Sequence, residues 1–382
     1  MARGTAALTE TFNRFFESEK AGGALLLLAT LLSIVLANAA VGPAYIEFWQ
    51  RRALGLSVEH WINDALMAVF FLLIGLELER ELYVGELSDP RKALLPLIAA
   101  LGGMIAPALI HFALNAGAPS QGGFGIPMAT DIAFVLGVLA LLGDRVPAAL
   151  KVFAVAFAVV DDLGAIVVIA LFYTADLSFA FLALALGVWG VLIAFNRMRV
   201  MALWPYLTGG LAMWFCLLHS GLHATLAGVM LAFAIPFTAR AEDRKSPSHR
   251  LEHRLHRPVA FCILPLFALA NTCIVLGPGW AGELAGHNAL GIAAGLLIGK
   301  PAGVALASLA AVGAGLCRLP EGTRPWHIVG AGILGGIGFT MSIFIANLAF
   351  PASPEVVNAS KIAILLSSLT AGLSGFLWLL RR

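Results

Sequence analysis

The chain is a succession of long apolar runs separated by charge clusters, Pro/Gly turns and Asn. A transmembrane helix needs about 20 mostly apolar residues, and breaking the sequence at those interruptions gives twelve candidate spans. They lie near residues 21–40, 61–78, 93–114, 121–142, 150–173, 178–195, 203–217, 220–236, 258–276, 288–311, 326–349 and 357–380. The adjoining runs 203–217 and 220–236 are the pair most easily read as one long helix. The run 21–40 has no small-residue cleavage site, so it reads as a retained helix rather than a signal peptide. The expected fold class is an all-α polytopic membrane protein.

Composition supports this reading. Hydrophobic residues make up 60% of the 382 positions and charged residues only 12%, whereas an ordinary soluble domain carries about 25% charged residues. A water-facing surface cannot be built from this stock, and intrinsic disorder is excluded as well. Cys216, Cys262, Cys273 and Cys317 lie in or beside apolar stretches without metal-ligand spacing, which excludes a disulfide-rich secreted fold. A net charge of +2 implies no nucleic-acid partner.

Charge also orients the chain. With both termini in the cytoplasm, twenty of the 24 basic residues fall on the cytoplasmic side, as the positive-inside rule requires. They include Arg3, Arg14 and Lys20 before the first span and Arg240, Arg244, Lys245, Arg250, Arg254 and Arg257 before the ninth. Arg381 and Arg382 follow the twelfth. The opposite side holds Arg51, Arg52 and Lys361. The remaining basic residue, Lys300, lies inside a span.

Lys300 falls at the centre of span 288–311, Asp161 and Asp162 at the centre of 150–173, and Asp131 at the centre of 121–142. Asp64 lies shallower, near the outer end of its helix. A charge at the bilayer centre costs roughly 2.5–3.5 kcal/mol on insertion scales and marks a functional candidate. Three carboxylates and one ammonium leave excess negative charge, which a bound cation or raised carboxylate pKa values can relieve. That is the minimum apparatus of a cation/proton exchanger. The plainer alternative is a structural Asp–Lys pair that only fixes helix register, but it leaves the other carboxylates unanswered. Adjacent helical residues point about 100° apart. One of Asp161 and Asp162 can therefore pair with Lys300 while the other lines a cation site with Asp131 and Thr130; residue order alone leaves open which does which.

Two spans contain poor helix material at the same depth: Gly122-Gly123-Phe124-Gly125-Ile126-Pro127 ahead of Asp131, and Gly335-Gly336-Ile337-Gly338 in the eleventh span. Paired Gly/Pro-interrupted spans point to an inverted-repeat transporter with its site at the crossing. Spans 3–5 (about 93–173) and 10–12 (about 288–381) are the expected repeats within one transporter domain, 1–382, with spans 4 and 11 broken. Asp131 is expected to offset the positive N-terminal ends of opened helices and Lys300 the negative C-terminal ends.

Several motifs resemble the NhaA-type bacterial sodium/proton antiporters. They are Asn63-Asp64-Ala65-Leu66-Met67-Ala68, Thr130-Asp131-Ile132-Ala133-Phe134, Asp161-Asp162-Leu163-Gly164-Ala165, Leu264-Pro265-Leu266-Phe267-Ala268, Gly299-Lys300-Pro301 and Gly338-Phe339-Thr340-Met341-Ser342. The resemblance covers nearly the whole chain. It implies a bacterial inner-membrane exchanger that expels Na⁺ or Li⁺ and admits protons by alternating access. Asp161 and Asp162 would be the ion-binding pair, with Asp162 the leading Na⁺ ligand and Asp161 the partner of Lys300; Asp131 and Thr130 would support the broken helices. The transported ions are Na⁺ or Li⁺ and H⁺, and no cofactor is implied.

The resemblance also implies a homodimer with interface elements at about 41–84 and 220–276, including a dimerising hairpin at 44–57. It implies a pH-regulating cluster of Glu77, Arg80, Glu81, His223, Glu252, His253 and His256. The plain reading of those residues is solvated helix ends. His249 stands where the family pattern has a lysine, a departure that bears on the pH set-point.

Other classes fit less well. An intramembrane aspartyl protease lacks its Gly-x-Gly-Asp neighbourhood, since Met128-Ala129-Thr130 precedes Asp131. A retinal Schiff base at Lys300 fits neither twelve spans nor Pro301 next to the lysine. A Na⁺-coupled solute symporter is the runner-up, but the aromatic-poor centres of these spans offer no evident organic-substrate pocket.

Overall fold

The computed structural model describes residues 21–174, 177–238, 246–277 and 279–381. Of the cytoplasmic charges counted above, Arg3, Arg14, Lys20, Arg240, Arg244, Lys245 and Arg382 lie outside the described residues. The described residues are mostly helical, with one two-stranded ladder among them. Seven helices there are long and apolar enough to cross a membrane: Ala21–Asn38, Val58–Tyr83, Pro90–Leu114, Ala148–Phe172, Phe179–Arg197, His287–Gly313 and Pro354–Leu380. Two bent pairs, Pro119–Met128 with Ile132–Leu142 and Pro325–Gly335 with Phe339–Ala349, pass the same test when each is taken as one span.

The remaining three expected spans are shorter helices. Run 203–217 folds as Trp204–Leu218, and in 258–276 a π-turn, Val259–Ile263, carries helix Pro247–Pro258 on into Leu264–Asn271, where the helical run ends. Run 220–236 keeps only Leu226–Ala232 as regular helix. Its start is delayed because Gly221 takes φ +86°, a left-handed value that suits glycine and interrupts a right-handed helix. That turn also separates it from Trp204–Leu218.

The chain divides into two compact units. The first comprises residues 1–38, 94–162 and 274–382, and the second 39–93 and 163–273. Within the first, both bent pairs open at the Gly/Pro-rich stretches. The bend is 41° at 129–131 and 46° at 336–338. Ala129 and Asp131 are extended, with ψ of 152° and 105°. The two interruptions bind each other directly, the Asp131 N–H donating to the Ile337 carbonyl at 2.6 Å. Small residues let neighbouring helices close around them. A Cβ on Gly102 would fall 2.5 Å from the Ala307 Cβ, and one on Gly103 2.8 Å from Val304 Cγ2.

In the second unit a short helix, Gly42–Gln50, leads into the strands Arg52–Ala53 and Leu56–Ser57, paired antiparallel as Arg52↔Ser57 and Ala53↔Leu56. Leu54 and Gly55 join them with φ of +52° and +90°, the two positive values of a type I′ hairpin turn. The hairpin implied at 44–57 is thus present, with a helix occupying its first half. The core of this unit gathers Leu76, Ala185, Tyr206, Met213 and Ala232, all fully buried. Helix Met67–Tyr83 meets Leu226–Ala232 through two glycines. A Cβ on Gly75 would lie 2.6 Å from the Ala232 Cβ, and one on Gly228 would lie 2.7 Å from the Leu72 backbone nitrogen.

Backbone at that distance cannot yield as a side chain can. Gly228→Val should therefore destabilise the protein by about 1–3 kcal/mol or more, the cost of overpacking a filled interior. Thermal unfolding in detergent is the measurement, and a variant as stable as wild type would show that the contact has room to spare.

Candidate ion-binding site

The site residues all belong to the first unit. Lys300 opens helix Lys300–Gly313 directly after a π-turn, Gly295–Gly299. Asp161 and Asp162 lie near the middle of helix Ala148–Phe172. Thr130 and Asp131 occupy the extended break of the first bent pair. All five side chains are buried, and Lys300, Asp161 and Thr130 have no exposed surface at all.

Lys300 Nζ donates to Asp161 Oδ2 at 2.5 Å and also to the carbonyl of Met128. It interacts electrostatically with Asp162 as well. The geometry therefore gives Lys300 to Asp161 as its direct partner. Met128 ends the helical stretch Pro119–Met128, so its carbonyl belongs to a helix C-terminus, where partial negative charge gathers. One ammonium thus answers a carboxylate and a broken-helix end together.

Asp131 does the converse. Its Oδ1 accepts from the Phe134 N–H at 3.3 Å, capping Ile132–Leu142. Its Oδ2 accepts from the Thr340 N–H at 3.2 Å and the Thr340 hydroxyl at 2.5 Å, in the first turn of Phe339–Ala349. A single carboxylate therefore sits against two helix N-termini, each worth about +0.5 charge. Hydroxyls serve the other free ends. Thr130 Oγ1 donates to Gly335 O at 2.9 Å and Ser342 Oγ to Ile126 O at 2.7 Å. Gly338 keeps this crossing open, since a Cβ there would meet the Ser342 hydroxyl and the Ala129 carbonyl.

The chemistry follows from the count of charges. Lys300 supplies one positive charge to the neighbouring carboxylates Asp161 and Asp162. The trio therefore holds excess negative charge unless a carboxylate binds a proton or the site binds a cation. Among the described residues no group of three or more His, Cys, Asp or Glu side chains gathers as a resident metal site. Asp64 is elsewhere: it is partly buried in the π-turn Ile62–Leu66 of the second unit, where its carbonyl accepts from Trp214 Nε1 at 3.1 Å.

The second unit brings most of the expected pH cluster together. Arg80 Nε lies 3.2 Å from Glu252, and an Arg80 amino nitrogen 3.5 Å from Glu81. His256 Nδ1 lies 3.8 Å from Glu77, and His249 Nδ1, at the position noted as a departure, 3.6 Å from Glu252. Burial pushes the Glu252 carboxyl up to about 7, against the opposing pull of Arg80. His253 is exposed on helix Pro247–Pro258, which also carries His249, Glu252 and His256. His223 stands on a different segment, the turn before Leu226–Ala232.

Sequence reasoning missed Glu79, which is buried and accepts from the Ser248 hydroxyl at 3.1 Å. It also missed the Met128 carbonyl and the roles of Thr340 and Ser342. The last two lie in a motif already singled out; a backbone carbonyl leaves no trace in residue types.

Removing one partner of a buried pair typically costs about 3–5 kcal/mol, because the other charge stays buried and unanswered. Lys300→Ala should lower the unfolding temperature accordingly. The double change Asp161→Asn/Lys300→Gln should recover much of that loss, since both charges leave together. Strictly additive destabilisation in this cycle would show that the two side chains are energetically independent.

The family model described as "Na+/H+ antiporter 1" matches residues 13–379. The chain is 64% identical over 380 residues to the Na(+)/H(+) antiporter NhaA of Dechloromonas aromatica (strain RCB), covering 99% of this chain and 98% of that protein. It is 57% identical to the Na(+)/H(+) antiporter NhaA 1 of Flavobacterium johnsoniae, over 97% of each chain. With the Na(+)/H(+) antiporter NhaA of Cytophaga hutchinsonii it shares 55% identity, over 97% of this chain and 95% of the other. The resemblance carried by the Asp-Asp-Leu-Gly-Ala and Gly-Phe-Thr-Met-Ser motifs thus extends along the whole sequence, and the chain belongs to the Na+/H+ antiporter 1 family.

Proposed function

We propose that this protein exchanges Na⁺ or Li⁺ for protons across the bacterial inner membrane by alternating access, expelling the metal ion. The observation that carries the reading is Lys300, fully buried and shared between Asp161 and the Met128 carbonyl at the crossing of two opened helices. The antiporter names of the close relatives support the same activity. Nothing favours a Na⁺-coupled solute symporter.

Asp162 is the leading cation ligand and Asp161 the second. When Na⁺ arrives, it competes with Lys300 for the carboxylates; when it leaves, protons restore neutrality. Uptake of one or the other, but not both, is what couples the two fluxes. Asp131 and Thr130 hold the broken helices that frame the site.

The wider architecture follows the same proposal. The chain crosses the membrane twelve times with both termini cytoplasmic, the three short helices counting as spans. Residues 93–173 and 288–381 form inverted repeats, and the two bent pairs, one in each, support that symmetry. Elements at 41–84 and 220–276, with the hairpin at 52–57, form the interface of a homodimer in the lipid bilayer. Glu77, Arg80, Glu81, His223, Glu252, His253 and His256 regulate activity by pH.

Asp162→Asn should abolish exchange without unfolding the protein, because the amide keeps the volume but carries neither a proton nor a full charge. Dequenching of a pH-sensitive dye in proteoliposomes on adding NaCl or LiCl reads the activity. Wild-type rates in both the Asp162→Asn and Asp161→Asn variants would place the site elsewhere.

The cluster makes a separate prediction. With its carboxyl raised to about 7 by burial, Glu252 is protonated in mildly acidic solution and gains its charge as pH rises through neutrality. The new charge strengthens its attraction to Arg80, and to His256 while that histidine is protonated. Glu252→Gln should therefore shift the pH midpoint of exchange while leaving the rate at saturating pH largely intact. An unmoved rate–pH curve would return the cluster to solvated helix ends, and loss of rate at every pH would put it on the transport path.

A further inference from the structure

One buried titratable side chain of the first unit has no part in the site. His111, on helix Pro90–Leu114, is fully buried and 3.1 Å from Asn288 Oδ1 through Nε2. Asn288 donates its amide to Ser360 Oγ at 2.7 Å, and Ser360 donates its hydroxyl to the Val356 carbonyl at 2.7 Å. This chain has one direction. A carbonyl only accepts, so Ser360 spends its proton on Val356 and must accept from Asn288. The Asn288 oxygen then faces His111, which must supply a hydrogen there; Nε2 carries it. Three helices are joined in this way: Pro90–Leu114, His287–Gly313 and Pro354–Leu380. Asn115, one turn after His111, adds a second tie by donating to the His287 carbonyl at 3.1 Å.

Asn288 and Lys300 belong to the same helical run, His287–Gly313. Twelve positions separate them, roughly 18 Å at about 1.5 Å per residue. Between them lies the π-turn Gly295–Gly299, in which the Lys300 N–H donates to the Gly295 carbonyl, five residues back instead of four. Such wide turns interrupt regular α-helix and are frequent at functional sites. The turn is also where the run is gripped. A Cβ on Gly299 would fall 2.7 Å from Pro107 Cα, and one on Gly295 2.6 Å from Pro127 Cβ. Pro107 and His111 lie one turn apart on the same helix. The run is thus tied at its head by Asn288, seated at the π-turn and tied at Lys300 by Asp161 and Met128.

We propose that the His111–Asn288–Ser360 hydrogen-bond chain is an anchor for the Lys300 helix, fixing its head so that the π-turn sets the register of Lys300 against Asp161. His111 is then a positioning residue for ion exchange, acting through the helix and not by touching the ion. The inference rests on the proposed function, in which Lys300 and Na⁺ compete for the same carboxylates. It has a sign that a merely structural tie would not give. Loosening the anchor weakens the Lys300–Asp161 pair, which is the competitor, so the apparent affinity for Na⁺ rises.

The test measures the Na⁺ concentration dependence of exchange by the full-length protein in proteoliposomes at one fixed pH. His111→Leu removes the donor, and Ser360→Ala removes the acceptor at the other end with less change in volume. Either should lower the KM for Na⁺ by about three- to tenfold, the scale of one hydrogen bond. His111→Gln, whose amide nitrogen reaches a similar place, should return KM to the wild-type value. Should His111→Leu fail to fold, Ser360→Ala carries the same test. A KM unchanged or raised in the folded variants, whatever happens to stability or maximal rate, overturns the proposal. Asp162→Asn, run beside them, separates the two readings. Exchange surviving in that variant removes the ion site itself, whereas its loss together with an unmoved KM in the anchor variants removes only the anchor.

Discussion

Two interrupted helices in an apolar interior leave free N–H and C=O groups that need partners, and the first unit is organised around supplying them. An unanswered backbone group in such a place costs several kcal/mol. Asp131 takes the first-turn N–H groups of Ile132–Leu142 and Phe339–Ala349. Lys300, Thr130 and Ser342 take the carbonyls of Met128, Gly335 and Ile126. The two breaks also bind each other, through Asp131 N–H and Ile337 O. Charge is admitted to this interior because the opened helices require it.

The same requirement produces the chemistry. A lysine used only to cap a carbonyl would be inert. Because Lys300 also pairs with Asp161 and feels Asp162, its single positive charge faces two carboxylates. That imbalance is the property an exchanger needs, since it is relieved by a proton or by a metal ion. Buried ion pairs of this kind contribute little net stability against apolar residues of similar size. Their value here is in being divisible, and the stability of the unit comes instead from close helix contact. Gly102, Gly103 and Gly303 allow the backbones of two helices to approach where any side chain would intervene.

The second unit solves a different problem with similar means. Gly75 and Gly228 bring two helices together. At the end of the first of them, Glu77, Glu79, Arg80 and Glu81 meet Ser248, His249, Glu252 and His256. Like charges at this density are tolerable because Arg80 is shared and because burial raises the Glu252 carboxyl to about 7, so that it ionises only as pH rises through neutrality. Charge in this group depends on pH in a range where a cell operates.

Hydropathy and helix-breaking residues act locally, so the apolar runs, the intramembrane charges and both broken helices were legible in residue order. Nine of the twelve expected spans appear as long helices or bent pairs. In 220–236 the regular helix is shorter than the apolar run, because hydropathy says nothing of where Gly221 turns the backbone. The pairing of charges was not legible in residue order, and only the family resemblance pointed to Asp161 as the partner of Lys300. Asp161 and Asp162 are adjacent and chemically identical, and only the rotation of their helix presents Asp161 to an ammonium 139 positions away. The Met128 carbonyl is likewise invisible in a sequence, because every residue has one and only packing selects which is left without a helical partner. Residue order therefore determined which charges the fold must bury. Tertiary structure decided which groups would share them, since contact between distant helices depends on how they pack and not on any one stretch of chain.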